Sequence, residues 1–370
     1  MSGAALQSVL AIDLGALARN YRMLAARAAA AACGAVVKAD AYGLGVGPVA
    51  RALYRAGCRT FFVATLAEAL AFRREAELPP SVELLALNGI ADTDAEAALA
   101  AGAVPALNAL DEVRAWNAAA GRLHRKVRCA LHIDTGMNRL GLDAEAVAKL
   151  GEDAALTDSL EIALVMSHLA CAEESANPLN CEQQRRFETL RQRLPRTRAS
   201  LANSSGIFLG PDFHYDLVRP GVALYGVNPL INDLNPMSEV INIKGKIVQV
   251  RNVDRGGSVG YGATHLVTRP ARIATVAVGY ADGYPRSLSN RGHGYLGGTR
   301  VPLVGRVSMD LTTFDVTDAD PALAHPGNTI DLIGNGAAID DVAAQAGTIA
   351  YELLTRLGRR YARVYSGEAG

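Results

Sequence analysis

The pattern of apolar and polar positions alternates regularly through the first part of the chain. From residue 33 to about residue 226, short apolar runs are separated by segments rich in Ala, Arg and Glu that have helical periodicity. The apolar runs are CGAVVKA (33–39), TFFVAT (60–65), VELLALN (82–88), AVPALN (103–108), VRCALHID (127–134), LEIALVMSH (160–168), RASLAN (198–203) and YDLVRPGVALYG (215–226). Eight strand-and-helix units are the number found in a closed (β/α)8 barrel. An open doubly wound sheet is the alternative, although no GxGxxG sequence follows any of these runs.

The pattern changes after about residue 232. NDLNP has the composition of a linker, and the stretches after it are β-rich, with frequent turns and one closing helical run, TIAYELLTRLG. These stretches are INIKGKIVQVRNV, SVGYGATHLV, RIATVAVGYADG, TRVPLVGRVSMDLTTFDV and NTIDLIGNG. The sequence therefore predicts an α/β protein, with residues 1–232 as an N-terminal (β/α)8 TIM-like barrel and residues 233–370 as a mainly β C-terminal domain.

Composition narrows the classes of partner. The chain has 370 residues with 37 basic and 37 acidic side chains, a balance that argues against a broad electrostatic surface for nucleic acid or anionic membrane. The five cysteines are odd in number and have no metal-ligand spacing, as is typical of reduced thiols. The first twenty residues lack a signal-peptide pattern, and no apolar run is long enough to span a bilayer. We expect a cytoplasmic protein with no nucleic-acid or membrane partner and no bound metal.

The first candidate for chemistry is Lys38 in AVVKADAYGLG (35–45). An apolar run ends in this lysine and is followed by small residues, an aspartate, a tyrosine and two glycines. A lysine at a strand end can simply extend its amine to water. If the amine is partly desolvated, its pKa falls and it can condense with an aldehyde as a Schiff base. The stretch alone leaves both interpretations open.

Further polar residues follow the later predicted strands. HIDTGMNRLG turns from a strand end to Arg139, and LVMSHLA leaves His168 at the end of the next strand. Chemistry in barrels lies at the C-terminal ends of the strands, so both side chains are candidates. An ordinary turn and a structural histidine are the competing interpretations.

The loops after the seventh and eighth strands often hold a phosphate in barrels. Ser204 follows the seventh strand, and Arg219, Gly221 and Val222 lie at the eighth. A hydroxyl and backbone N–H groups at these positions suit one anion. With Lys38 at the same end of the barrel, this set suggests a phosphorylated aldehyde cofactor, pyridoxal 5'-phosphate.

Several motifs in one order carry a resemblance to a known family. They are VVKADAYGLG with Lys38, DTGMNRLG with Arg139, NSSG with Ser204, RPGVALYG with Arg219, SVGYG with Tyr261, GYADGYPR, and GRVSMD with Met309. From about residue 8 to Tyr365 the chain resembles the alanine racemase family of fold-type III pyridoxal-phosphate enzymes. The resemblance implies a barrel followed by a β-domain, interconversion of L-alanine and D-alanine, and a head-to-tail homodimer. Each active site would be completed by the partner's second domain.

The resemblance also implies roles for individual residues. Lys38 would hold the cofactor, and Lys38 and Tyr261 of the partner subunit would exchange the substrate's α-proton on opposite faces. Arg219 would face the pyridine nitrogen, and His168 would link it to the catalytic tyrosine. Contacts to the phosphate would come from Tyr42, Ser204, Gly221, Val222 and Tyr351. Arg139 and Met309 would hold the substrate carboxylate or orient the tyrosine, and the outer channel would contain Glu173, Arg286, Arg306 and Ile349.

One position departs from the family pattern. Many members carry a lysine, often carbamylated, where this sequence has His132, so Arg139 would need another partner. A racemase of serine or of broader specificity and a non-catalytic pyridoxal-phosphate-binding protein remain alternatives. Whether the activity supplies D-alanine for peptidoglycan or degrades it is left open.

Overall fold

The first part of the chain forms a parallel barrel. The computed structural model describes residues 8–231 and 233–367. The strands up to residue 231 are β1 Val9–Asp13, β2 Ala32–Cys33, β3 Ala35–Val36, β4 Thr60–Val63, β5 Glu83–Ala86, β6 Ala103–Leu107, β7 Val127–His132, β8 Leu160–Met166, β9 Ala199–Ser200 and β10 Leu217–Val218. Strands β3 to β9 form one parallel sheet in chain order, and β10 pairs in parallel with β2, directly before β3. Hydrogen bonds from Asp216 N to Ala199 O and from Arg219 N to Ala202 O connect β9 to β10. The predicted α/β class with an N-terminal barrel is confirmed.

Helices alternate with these strands. They are α1 Leu14–Ala28, α2 Lys38–Tyr42, α3 Val46–Arg55, α4 Leu66–Ala76, α5 Ala95–Ala100, α6 Leu110–Arg122, α7 Ala144–Glu152 and α8 Pro178–Arg191. Several begin at a capping side chain: Asp13 accepts from Ala16 N, and Asp143 accepts from Ala146 N. The segments with helical periodicity, GPVARALYRAG, LAEALAFRREAE, DTDAEAALAAG and CEQQRRFETLRQRL, correspond to α3, α4, α5 and α8 within a few residues. The predicted strands are longer than the observed ones because their last residues bend into the loops that line the barrel mouth.

The later part is mainly β. It contains β11 Ile241–Val253, β12 Ser258–Val259, β13 His265–Leu266, β14 Ala271–Val276, β15 His293–Leu296, β16 Thr299–Pro302, β17 Thr312–Asp315, β18 Thr329–Ile333 and β19 Ala362–Ser366, with helices α9 Ile339–Ala346 and α10 Ala350–Thr355. Its main sheet has the order β16-β15-β18-β11-β1-β19, and β14 and β17 join it through β11. Burial alternates along the first half of β11, as in a strand with one face on the core.

The first strand, β1, lies in this later sheet. It runs antiparallel to β11, with Val9 opposite Lys244, and parallel to β19, with Val9 opposite Ala362. Its inward side chains, Leu10 and Ile12, are fully buried. The predicted division had placed this segment in the barrel; a short alternating strand carries no signal of the sheet it will join. Residue 232, at the predicted boundary and at the start of the predicted linker, lies outside the described residues.

One large apolar core extends through both parts, and a smaller cluster that includes Val259, Val267 and Ile273 lies apart from it in the later part. Val36 and Trp116 of the barrel belong to the same connected cluster of buried side chains as Ile243 and Phe314 of the later sheet. The barrel mouth is therefore supported on a continuous packed scaffold. Within residues 8–231 and 233–367, no helix has the length and apolar character needed to cross a bilayer.

Candidate active site

A cavity of about 710 Å³ lies at the C-terminal ends of the barrel strands. Most of the residues predicted for the site line it: Lys38, Tyr42, Arg139, His168, Ser204, Arg219, Gly221, Val222 and Tyr351. Residues from widely separated parts of the sequence thus meet in one place. Their convergence supports the functional interpretation of each polar residue over the ordinary structural one.

Lys38 begins a left-handed turn. Ala39, Asp40 and Ala41 have φ of 53°, 55° and 53° with ψ near 50°, and Tyr42 continues the turn with φ 55°. A non-glycine residue in this region costs about 1–2 kcal/mol, and such strain persists at functional sites where the surroundings over-determine it. The predicted strand over residues 33–39 was wrong at its end, because the strand stops at Val36 and the backbone then reverses its handedness.

The turn is held by contacts on several sides. Asp40 Oδ1 accepts a hydrogen bond from Val46 N at 2.7 Å, which ties the turn to the start of α3. The ring of Tyr42 packs on that of Tyr225 with centroids 4.6 Å apart, and the Tyr225 hydroxyl donates to Val36 O at 2.9 Å. The backbone that carries the Lys38 amine is therefore fixed at both ends of the turn.

Burial lowers the pKa of Lys38, and the nearby charge of Arg139 lowers it further, while Glu68 acts in the opposite direction. A lowered pKa increases the fraction of unprotonated amine at neutral pH. Only that form can act as a nucleophile or as a base. The environment of Lys38 therefore favours the Schiff-base interpretation over an amine exposed at a strand end.

A set of hydrogen-bond donors faces the cavity near Gly221. The Ser204 hydroxyl lies 2.9 Å from Gly221 N and 3.3 Å from Ala223 N, and accepts from both. A Cβ at Gly221 would lie 2.5 Å from the Tyr42 hydroxyl, so only glycine allows this approach. Burial raises the pKa of Tyr351 to about 12, and it also raises the pKa of Tyr42, so both phenols remain protonated donors. Two phenols and a serine hydroxyl that keeps its own O–H to donate, next to the Gly221 backbone, fit a phosphate group.

Arg219 is buried at the base of the cavity. Its guanidinium donates to Ser200 Oγ at 2.5 Å and to Ser167 O at 2.6 Å, and it lies 3.5 Å from His168 Nδ1. Burial lowers the pKa of Arg219 to about 10, so the group is still a cation at neutral pH. Burial and then the charge of Arg219 lower the pKa of His168 to about 3, which keeps the imidazole neutral. A cation next to a neutral imidazole therefore forms this side of the site.

His132 has a partner that the sequence did not reveal. Its Nδ1 lies 2.8 Å from Asn108 Oδ1, and Asn108 Nδ2 donates to Ala106 O at 2.9 Å, which orients the amide. Because an amide oxygen can only accept, His132 carries its proton on Nδ1. Burial and then the charge of Arg219 lower the pKa of His132 to about 4. In the sequence, Asn108 is recognisable as a polar residue at the end of the predicted strand AVPALN.

Arg139 lies at the exposed rim of the cavity. Within the described part of the chain it makes no hydrogen bond or ion pair. Among the predicted channel residues, Ile349 also lines the cavity, whereas Glu173, Arg286 and Arg306 do not.

Two predicted residues lie away from the cavity. Tyr261 is 73% exposed and Met309 is 54% exposed, and neither lines the space around Lys38. Both belong to the later, mainly β part of the chain, on the loops after β12 and before β17. The chain alone therefore brings together one side of the predicted site.

The fold and the site define a class of protein. A parallel barrel with a lysine amine, a buried arginine and phosphate-type donors at its mouth, followed by a β-rich part, is the arrangement of fold-type III enzymes. The family model for the alanine racemase N-terminal domain matches residues 12–229, and the model for the C-terminal domain matches residues 240–365. The chain belongs to the alanine racemase family, which confirms the resemblance drawn from its motifs.

Individual relatives agree over nearly the whole length. The chain is 49% identical over 366 residues to the alanine racemase of Rhodospirillum rubrum, covering 97% of this chain and 96% of that protein. It is 43% identical over 367 residues to the catabolic alanine racemase of Mesorhizobium japonicum, covering 99% and 95%. The solved alanine racemase of Bartonella henselae with covalently bound pyridoxal phosphate superposes with a TM-score of 0.93 at 40% identity, covering 97% of this chain and 99% of that one.

Proposed function

We propose that this chain is a pyridoxal-phosphate-dependent alanine racemase that interconverts L-alanine and D-alanine. The observation that carries the proposal is the convergence of Lys38, Arg219 and the donors around Gly221 on one cavity in a member of this family. The Bartonella relative, with covalently bound pyridoxal phosphate, supports the same cofactor. When bound, this cofactor supplies an electron sink that makes the α-proton of an amino acid removable.

Lys38 has two roles in this proposal. Its amine, unprotonated in part because its pKa is lowered, would hold the cofactor at its aldehyde carbon with loss of water, and would be free to act as a base once the substrate's amine replaces it. During turnover the same amine takes or returns the α-proton on one face of the substrate. Ser204, Tyr42 and Tyr351, with the backbone at Gly221 and Val222, hold the phosphate.

Arg219 sets the electronic character of the site. A guanidinium donates a hydrogen bond to the pyridine nitrogen but hardly transfers its proton, because its pKa stays near 10. The groups around it, the oxygens of Ser200 and Ser167 and the neutral imidazole of His168, carry no charge that could draw the proton away. The arrangement limits charge build-up on the ring and so disfavours transamination.

The second base is Tyr261 of the partner subunit in a homodimer. Tyr261 and Met309 are exposed, while the cavity around Lys38 is open at Ile349 and Tyr351. Other large apolar side chains of the later part, Leu266, Tyr280 and Leu311, are also exposed. A second copy of the chain would cover them and bring residues 233–370 to the open cavity, where Met309 and Arg139 would bind the substrate carboxylate.

The compartment and the physiological role have separate tests. Reduced cysteines fit the cytoplasm, and cell fractionation tests that location. A D-alanine requirement after deletion of the gene would indicate supply for peptidoglycan. Loss of growth on D-alanine would indicate breakdown.

The test of the proposal combines chemistry and turnover. The purified protein should absorb in the visible range through its bound cofactor, and borohydride should fix the cofactor on Lys38, as read by mass spectrometry. L-Alanine should be converted to D-alanine, and Lys38→Ala provides the matched control. Turnover of a panel of amino acids that includes L-serine distinguishes an alanine racemase from a racemase of broader specificity. The panel is needed because a pocket discriminates between substrates by only about 1–3 kcal/mol per methylene. Bound cofactor without turnover on any amino acid would support a non-catalytic binding protein instead.

A further inference from the structure

Glu68 connects the turn that carries Lys38 to the neighbouring barrel strand. Its Oε1 accepts a hydrogen bond from Ala39 N at 2.9 Å, and its Oε2 accepts from Ala64 N at 2.7 Å. Ala39 is the first residue after Lys38 in the left-handed turn, and Ala64 directly follows β4. One carboxylate thus joins the C-terminal ends of two adjacent strands, β3 and β4.

Helix capping explains only part of this arrangement. Glu68 lies in the first turn of α4, where Thr65 Oγ1 accepts from Glu68 N at 3.3 Å. The equivalent glutamate of α6, Glu112, accepts from Asn108 N at 2.7 Å, again four residues earlier in the chain. No second backbone bond to Glu112 occurs within the described residues. The bond from Ala39 is therefore an addition found in the unit that carries Lys38.

The carboxylate also acts on the lysine electrostatically. Burial and Arg139 lower the pKa of Lys38, and the negative charge of Glu68 works against them. The same half-buried carboxylate accepts the two N–H bonds from Ala39 and Ala64. Geometry and charge at Glu68 therefore both bear on the same amine.

We propose that Glu68 is a positioning residue for Lys38, which holds the left-handed turn so that the amine is aimed into the cavity and which tunes that amine through its charge. The inference rests on the proposed function of Lys38. Four consecutive non-glycine residues with positive φ need an external restraint, and the Ala39 N–H is the backbone group nearest to the lysine that receives one from a charged side chain.

The test compares Glu68→Gln with Glu112→Gln in the holoenzyme. Glutamine removes the charge and offers one acceptor oxygen in place of two. For Glu68→Gln we expect kcat to fall about 10- to 100-fold with little change in KM, because a small misplacement of a reacting group is costly. The pH at which the spectrum of the bound cofactor changes should fall by about one unit, because a lost negative charge favours the unprotonated form of the Lys38 nitrogen that holds the cofactor. Hydroxylamine should release the cofactor faster.

Both variants should lower the thermal midpoint by a similar amount. Glu112→Gln should nevertheless leave kcat, the spectral transition and the rate of cofactor release by hydroxylamine at wild-type values. If Glu68→Gln does the same, Glu68 is only a helix cap and the inference is overturned. Glu68→Asp keeps the charge on a shorter side chain, and it should retain the spectral transition but lose kcat; it carries the test if Glu68→Gln does not fold. A wild-type protein with no cofactor spectrum and no racemisation would overturn the proposed function itself, whereas an active wild type with unaltered Glu68 variants overturns only this inference.

Discussion

The barrel mouth and the loops of the later β part differ in the burial and hydrogen bonding of their predicted site residues. At the barrel mouth, polar side chains from distant strands are buried against one another, and each of Arg219, Ser204 and His132 has a defined partner. In the β part, Tyr261 and Met309 are exposed and do not line that cavity. Under the proposed function, binding of the cofactor should therefore depend on one chain, and turnover should depend on two.

The largest expected effect is that of Lys38→Ala, which changes the side of the site formed by the barrel mouth. Loss of both the anchor and one base should lower racemisation by roughly 10⁴-fold. Retention of the cofactor after gel filtration, read from its absorbance, should fall in parallel. Added methylamine gives a control, since a small amine can enter the empty volume and recover part of the activity; a variant as active as wild type would contradict the role of Lys38.

Tyr261→Phe tests the contribution of the exposed loops of the later β part. Activity should fall by roughly 10²- to 10³-fold while the absorbance of the bound cofactor stays unchanged, because the barrel holds the cofactor without this residue. Mixing the Lys38→Ala and Tyr261→Phe proteins should restore about a quarter of wild-type activity, since half of the randomly formed dimers carry one intact site. Mixed samples that remain inactive after proven subunit exchange would show that the site is not shared.

Gly221→Ala should weaken cofactor binding by about 10- to 100-fold with less effect on folding. The added Cβ would lie 2.5 Å from the Tyr42 hydroxyl and would fill the space around the phosphate donors. Gly121→Ala is the control, because its Cβ would meet Ser159 Oγ at 3.8 Å, an ordinary contact. Equilibrium dialysis against pyridoxal phosphate measures the effect, and equal affinities in the two variants would remove Gly221 from the phosphate site.

The smallest effect concerns stability and pH. Burial lowers the pKa of His132 to about 4 and that of His168 to about 3, below the ordinary value of 6.5. The folded state then binds these protons less readily than the unfolded chain. The free energy of unfolding should therefore be highest above pH 6.5 and fall as the pH drops toward 4. Urea unfolding at pH 7.5 and 5 should show a smaller loss in His132→Gln than in wild type, and the exposed His325→Gln should behave as wild type.

Fold and site were predictable to different degrees. The βα alternation, with turn-rich sequence after residue 232, is enough to predict a barrel followed by a β part, because periodicity reports burial directly. The left-handed turn after Lys38 was not predictable, since its four residues carry no glycine and are stabilised by distant side chains such as Glu68. The partners Asn108 and Glu68 were missed for the same reason: a hydrogen bond across strands leaves no periodic trace in the sequence.

The pairing of β1 between β11 and β19 has a consequence for synthesis of the chain. Val9–Asp13 leaves the ribosome long before one of its neighbours, Ala362–Ser366, is made. Such long-range pairing slows folding. Until the partner strand is made, the unpaired edge of β1 can pair with other chains and cause aggregation. Because β1 belongs to the sheet of the later β part, a cut between the barrel and the β part should yield two fragments. The second fragment would then lack one strand of its sheet. Co-expression of the two fragments, rather than either alone, should then recover soluble protein.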